Sequence, residues 1–226
     1  MQIKLDFRLL EVSLEIEALK NNYDLIKKQM QSLRVENQSN FDEYCKENKL
    51  TPEDSEWSDA KQRFDYTVEF LIPRFLIGSF VISTYSVYES SVTEIAKLIQ
   101  KTQGQYISLN NLRGSFLERA EIYFDHILHF KYYSDDNIKV TVEMLADLRN
   151  AIVHANGRLE MLTKENRKNI DKWKRKKNGI TFYYDYLLID IECASEIFNQ
   201  VQLFLKDLVK RYKEWDTEQN AKTIAS

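Results

Sequence analysis

In the segment LRNAIVHANGR, Leu148 to Arg158, an arginine, an amide and a histidine are set among apolar neighbours. The guanidinium of Arg149 is planar and can meet two oxygens of a phosphate or a carboxylate at once. A histidine ordinarily titrates near neutrality, so His154 is a candidate to give or take a proton in catalysis. Asn150 stands one helical turn before the histidine and is placed to orient its ring. An anion-binding cation beside a proton carrier is suited to proton transfer at a phosphate ester, and the charge that develops there would be stabilised by the arginine. Each residue also has a structural explanation. A guanidinium in an apolar stripe can form a buried ion pair, and Glu89 is a carboxylate that could receive it. A histidine in the last turn of a helix can be a surface residue or a cap, where the helix dipole favours its charged form.

The spacing around these residues predicts a helix from about Ile138 to His154, ended by the left-handed signature Asn156-Gly157. On a helical wheel Val142, Leu145, Ala146, Leu148, Ile152 and Val153 form one broad apolar arc, and Arg149 falls inside it. Glu143, Asp147, Asn150 and His154 fall on the opposite side. Arg149 and His154 are therefore about 140° apart on one helix and do not converge on a small ligand. Two copies of the helix facing each other across a two-fold axis would supply two arginines and two histidines, one histidine taking a proton and the other giving one. Chemistry at this motif therefore predicts a homodimer.

Other elements must hold that helix in place. Leu5, Leu9, Val12, Ile16, Leu19, Tyr23, Ile26, Met30 and Leu33 are spaced alternately by four and three, a heptad seam. It predicts a long N-terminal helix that packs either on its own copy or on another helix of the same chain. Thr51-Pro52 with following acids predicts a helix start, and that helix should run to about Ile72. Pro73 should open or kink the next helix, from Phe75 to about Lys101. Ser79, Ser83, Ser86 and Ser90 form a stripe of small residues on it, with Glu89 alongside. Ser108 is placed to cap a helix reaching His129, and Thr163 to cap a short basic helix. The β-branched and aromatic run near 180–188 predicts a small extended excursion or hairpin. A last amphipathic helix should span about Asp190 to Trp215. The resulting organisation is an N-terminal helical extension over 1–50, a helical domain over 51–216 and a tail over 217–226. The fold class is all-α, an antiparallel helical bundle.

Composition fits that class. The 226 residues include only five glycines and two prolines, few enough to favour long helices. Hydrophobic content of 43% and charged content of 30% describe a soluble globular chain. The apolar run FLIPRFLIGSFVI holds Pro73 and Arg74 and reads as too short to span a bilayer, so no membrane role is expected. The charged N-terminus is no secretory signal, and Cys45 and Cys193 read as reduced thiols, so the expected location is cytoplasmic.

Net charge is −3, yet nine basic and three acidic residues lie between Arg158 and Lys177, a local excess of +6 directly after the motif. Arg158, Lys164, Arg167, Lys168, Lys172, Lys174 and Arg175 are candidate RNA phosphate contacts, with Trp173 available for stacking. A solvated basic helix is the plain alternative. His126 and His129, with Asp125, share a helix face and could bind zinc, but no third or fourth ligand is evident and the aromatic neighbours suggest packing. No cofactor is expected. No phosphate-loop, dinucleotide-binding or zinc-protease motif occurs.

The run Arg149-Asn150-Ala151-Ile152-Val153-His154 followed by Ala155-Asn156-Gly157 resembles the R-x4-6-H signature of the HEPN superfamily. The polar residue after the arginine, the helix end, the following loop and the long last helix match as well, over about Ile72 to Tyr212. The serine- and tyrosine-rich helix around Tyr85 to Glu94 also looks like an earlier helix of that family. The resemblance implies an all-helical, dimeric, metal-independent endoribonuclease of toxin–antitoxin or antiphage-defence type, a hydrolase-class nuclease with a possible antitoxin or defence-system partner protein. It implies that Arg149, Asn150 and His154 are catalytic, with Glu89 supporting. Members silenced by nucleotidyltransferase antitoxins carry a tyrosine where this chain has Asn156, so control by tyrosine modification is not implied. The alternative is a non-catalytic helical module of the same shape that binds RNA or a partner protein.

Overall fold

The computed structural model describes residues 7–225. The heptad seam forms a helix, α1 (Phe7–Asn48), and its stripe is buried within the chain. Leu9, Val12, Ile16, Leu19, Ile26 and Met30 join the central apolar cluster, and Tyr23 stacks obliquely on Phe80 at 5.5 Å. Leu5 lies outside the described residues. Beyond Ser39 the helix does not loosen, because a new set of contacts takes over from the heptads. Phe41 packs edge-on against Trp57 and Phe64 of α2 (Ser55–Asp65), and Arg34 holds Glu69 through two hydrogen bonds of 2.8 and 2.9 Å.

The helix expected at Thr51 starts later. Thr51 donates its backbone N–H and its hydroxyl to the Asp54 carboxylate, which closes a turn over Pro52 and leaves Asp54 as the N-cap residue. Pro73 does not break the run that follows. A π-helical turn, Tyr66–Leu71, lies just before it, and Ile72 donates to the Thr67 carbonyl. That wider turn precedes a residue with no N–H to offer, so the chain passes straight into α3 (Ile72–Gln103). The continuous run Ser55–Gln103, which contains the apolar stretch FLIPRFLIGSFVI, is long and apolar enough, by length and composition alone, to cross a membrane, a test that the core helix of a soluble protein also passes; 39% of its apolar window is buried in the fold.

α3 is the central helix and ends at Gly104, whose φ of 64° gives the left-handed cap. Ser108 caps only a short 3-10 turn. The next helix, α4 (Phe116–Ile122), is capped instead by Ser115, which exchanges hydrogen bonds with Glu118. The helix α5 (Asp136–Ala155) carries the motif. A basic helix, α6 (Lys164–Lys176), follows it with Thr163 as cap, accepting from the Asn166 N–H at 3.2 Å. The extended excursion is a hairpin of β1 (Ile180–Tyr183) and β2 (Tyr186–Ile189), antiparallel, with Ile180 opposite Ile189 and Tyr183 opposite Tyr186. The last helix, α7 (Ile191–Ala225), continues past the expected end near Trp215.

The core lies where α3 meets α1, α5 and α7. Val92, Ile95 and Ile99 from α3, Val142, Leu145 and Leu148 from α5, and Phe204, Leu205 and Leu208 from α7 are wholly buried there. The architecture is mostly all-α, with one small two-stranded sheet among the described residues.

Candidate functional site

The motif helix is fixed at both ends. Asp135 caps its start by accepting from the Asn137 N–H at 2.9 Å. At its end Asn156 adopts φ 48° and Gly157 φ 70°, and Gly157 donates back to the Ala151 carbonyl at 3.0 Å. The chain then runs beside the hairpin. Leu187 donates to the Gly157 carbonyl and Leu159 to the Asp185 carbonyl, both at 2.8 Å, and the Asp185 carboxylate accepts from the Glu160 N–H at 3.0 Å. The loop after His154 is thereby a short third edge on β2.

Arg149 is half-buried and faces α3, as its place in the apolar arc requires. Its Nη1 donates to Asn150 Oδ1 at 2.9 Å, and its guanidinium carbon lies 5.4 Å from the centre of the Tyr85 ring. The ion pair with Glu89 is not formed: among the described residues no carboxylate reaches Arg149. A ring quadrupole replaces the missing counter-charge in part. Burial pushes the Tyr85 hydroxyl up to about 12; the Glu89 charge adds to that, and Arg149 and Arg119 oppose it. Arg119 is a residue that sequence reading missed. Its Nε is buried with no hydrogen-bond partner, and its guanidinium lies 5.9 Å from the Phe116 ring centre. Nothing in the short helix FLERAEI distinguishes it from a surface arginine; only the fold brings its charge to bear on Tyr85.

His154 is exposed on the other side of α5, and no hydrogen bond to its side chain forms among the described residues. Asn150 gives its carbonyl to Arg149, not to the imidazole. The separation expected from the wheel is therefore present: Arg149 faces α3, and His154 faces outward on the side where α6 returns along α5.

Asp147 is what holds α6 there. Its carboxylate accepts from Trp173 Nε1 at 2.7 Å and from Asn169 Nδ2 at 3.1 Å. Trp173 is only 2% exposed, so it is a buried anchor and is not available for stacking on RNA. The basic residues are spread around α6. Lys164, Lys168 and Arg175 project into solvent, while Arg167 and Lys174 lie 5.1 and 4.1 Å from the Phe182 ring centre. Lys172 covers the Trp173 ring at 4.0 Å. Arg158 lies 5.5 Å from the Tyr186 ring centre, just beyond the motif.

A groove of about 250 Å³ runs between α3 and the end of α5, floored by Ile77, Gly78 and Ile152. Gly78 faces Ile152 across the groove; a Cβ there would sit 3.5 Å from it, in ordinary contact. Arg74 stands at the groove's end, donates Nη1 to the Asn156 carbonyl at 3.1 Å, and keeps a buried Nε without a partner. Exposed Phe75 and Val153 extend the apolar strip on either side. At His126 and His129, Asp125 is used to accept from the Tyr132 N–H at 2.8 Å, and among the described residues no group of three or more His, Cys, Asp or Glu is placed to hold a metal.

No protein-family model, no curated protein and no solved structure matches the chain.

Proposed function

We propose that the chain is a HEPN-type endoribonuclease that acts as a homodimer in the cytoplasm, without a metal, in a toxin–antitoxin or antiphage-defence setting. One observation carries the reading. Arg149 is half-buried and uncompensated by any carboxylate among the described residues, held by an amide and a ring that leave it able to meet an anion. A structural ion pair would have used Glu89. The apolar strip of Phe75, Ile82, Ile152 and Val153 lies between the same two helices, α3 and α5, and fits a two-fold contact between copies.

In that dimer the ribose 2′-oxygen attacks the adjacent phosphorus while the bond to the 5′-oxygen breaks. His154 takes the 2′-hydroxyl proton, and the partner subunit's His154 gives one to the departing oxygen. Arg149 stabilises the charge on the five-coordinate phosphorus, and Asn150 holds the guanidinium in place. The products are a 2′,3′-cyclic phosphate and a 5′-hydroxyl. DNA, lacking the attacking hydroxyl, is not a substrate. The exposed basic residues of α6, with Arg158, grip flanking phosphates. The second reading, a non-catalytic module binding RNA or a partner protein, is favoured by His154 having no orienting partner within one chain.

The test is incubation of purified protein with labelled cellular RNA in EDTA, beside Arg149→Ala and His154→Ala. Cleavage by the wild type alone, leaving cyclic-phosphate ends, is the expected result. No cleavage of any RNA would leave the second reading in its place.

A further inference from the structure

An aromatic cleft lies between the π-helical turn and the hairpin tip, about 540 Å³ in volume and open to solvent. Tyr66, Phe70, Tyr183 and Tyr184 line it in a connected series. Neighbouring ring centres are 4.9 Å apart for Tyr66 and Phe70, 4.8 Å for Phe70 and Tyr183, and 4.8 Å for Tyr183 and Tyr184. Burial does not account for the outer rings. Tyr66 is 39% exposed, Tyr183 41% and Tyr184 81%.

The backbone at Tyr184 carries a second, independent signal. It holds φ 49° in the two-residue turn of the hairpin. Gly and Asn occupy such positions with little strain, and a bulky side chain does so at a cost. A large, exposed ring kept at a strained turn is better explained by contact with a ligand than by stability.

The surrounding charge says which ligand. The two acids of the cleft wall are already paired, Asp65 with Lys61 at 2.8 Å and Glu69 with Arg34 through both its oxygens. They offer no bare carboxylates to a cation. Guanidiniums without carboxylate partners among the described residues stand around the rings instead. Arg63 lines the cleft, and Arg74 and Arg158 lie 4.4 and 5.5 Å from the centre of Tyr186, whose ring touches Phe70 at 5.5 Å. Stacking faces interleaved with uncompensated cations fit a strand of unpaired bases joined by phosphates. The track also reaches the motif. Arg74 bonds the Asn156 carbonyl, and Arg158 follows the Gly157 that is tied to β2.

We propose that the cleft between Tyr66 and Tyr184 is a base-stacking subsite for single-stranded RNA, with Arg158 and Arg74 carrying the strand from the motif helix to it. This rests on the RNA reading above and adds a separate place where unpaired bases are held. It makes the protein a reader of single-stranded segments, since paired bases hide the faces that the cleft would grip.

The probe is a fluorescent single-stranded RNA of about 12 nucleotides, within the span such grooves cover, 2′-O-methylated throughout so that it cannot be cleaved. Its affinity for the full chain is read by anisotropy. Tyr66→Ala and Tyr184→Asn should each weaken binding about 5- to 150-fold, the loss of one base–aromatic stack, while Tyr184→Phe keeps it. Asn relieves the strained turn, so Tyr184→Asn should bind worse while melting no lower than the wild type, which separates lost contact from lost fold. Unchanged affinity in both Tyr66→Ala and Tyr184→Asn would overturn the subsite, as would equal competition by a duplex, or binding of a polyglutamate peptide but not of the RNA. Tyrosine-dependent binding with no cleavage of unmodified RNA would leave the subsite standing and sink the nuclease. Cleavage with tyrosine-independent binding would do the reverse.

Discussion

Replacing Asp147 should show how the basic helix is held against the motif helix. Its carboxylate is the acceptor for the buried Trp173 indole N–H at 2.7 Å and for Asn169 at 3.1 Å. A hydrogen bond to a charged acceptor contributes about 1.5–3 kcal/mol net, and an indole N–H left buried without a partner costs about 1–3 kcal/mol. These overlap, because the lost bond and the orphaned donor are one event. The longer Asn169 contact adds a few tenths. Asp147→Ala should therefore destabilise the chain by about 2–4 kcal/mol, which for a chain of this length lowers Tm by about 2–4 °C per kcal/mol. Asp147→Asn keeps a carbonyl for the indole and should lose about half as much. Urea unfolding followed by far-ultraviolet circular dichroism gives the difference. A double-mutant cycle with Trp173→Phe isolates the bond, with an expected coupling of about 1.5–3 kcal/mol. An Asp147→Ala variant within about 0.5 kcal/mol of the wild type, or a coupling near zero, would refute the reasoning. The helix would then be held by the packing of Ile170 and Trp173 alone.

Two further predictions concern the tyrosines. Burial raises Tyr88 and Tyr132 well above the ordinary 10, and Tyr85 to about 12. The fold favours their neutral forms, so this stabilisation is complete below pH 10 and is lost as pH rises through the folded values. Absorbance at 295 nm should show the buried set ionising only as helical signal is lost; ionisation of all tyrosines in one step near pH 10 with helices intact would contradict it. The Tyr88 and Tyr132 hydroxyls also bond each other at 2.6 Å, both side chains wholly buried. Tyr88→Phe should cost about 1–2 kcal/mol by orphaning the Tyr132 hydroxyl, Tyr132→Phe should cost less because the Tyr133 hydroxyl also interacts with Tyr88, and the double change should cost less than the sum; strict additivity in urea unfolding would count against the pair.

Much of the helical layout was legible because it follows from local rules. The heptad seam, the Thr163 cap, the Asn156-Gly157 ending and the hairpin each depend on residues within a few positions of one another. What failed was decided by side-chain contacts and backbone adjustments that periodicity does not carry. Thr51 met Asp54 three residues on and moved the helix start. Pro73 was accommodated by a π-helical turn that no periodicity announces. Trp173 in a basic run looks like a stacking residue until Asp147, on another helix, is brought to its indole. Arg149 was readable as anomalous, since a wheel needs only 3.6 residues per turn. That it would rest on Tyr85 and form no ion pair with Glu89 was not readable, because it depends on how α3 and α5 pack against each other.

The hairpin shows why the candidate site and the proposed subsite should be treated as one structural unit. His154 lies in the last turn of its helix, where a free end would fray. The loop beyond it is instead paired to β2 through Gly157 and Leu159, and the Asp185 side chain adds a third bond from the hairpin's own turn. The same turn carries Tyr184, and the same strand carries Tyr186 beneath Arg74 and Arg158. A ligand that pulled on the hairpin tip would load the end of the motif helix through those three hydrogen bonds. The groups that the two proposals assign to bases and to the scissile phosphate are therefore mechanically joined. A change at Gly157, where positive φ and the β2 pairing coincide, should disturb both, whereas a change at exposed Tyr66 should disturb only the first.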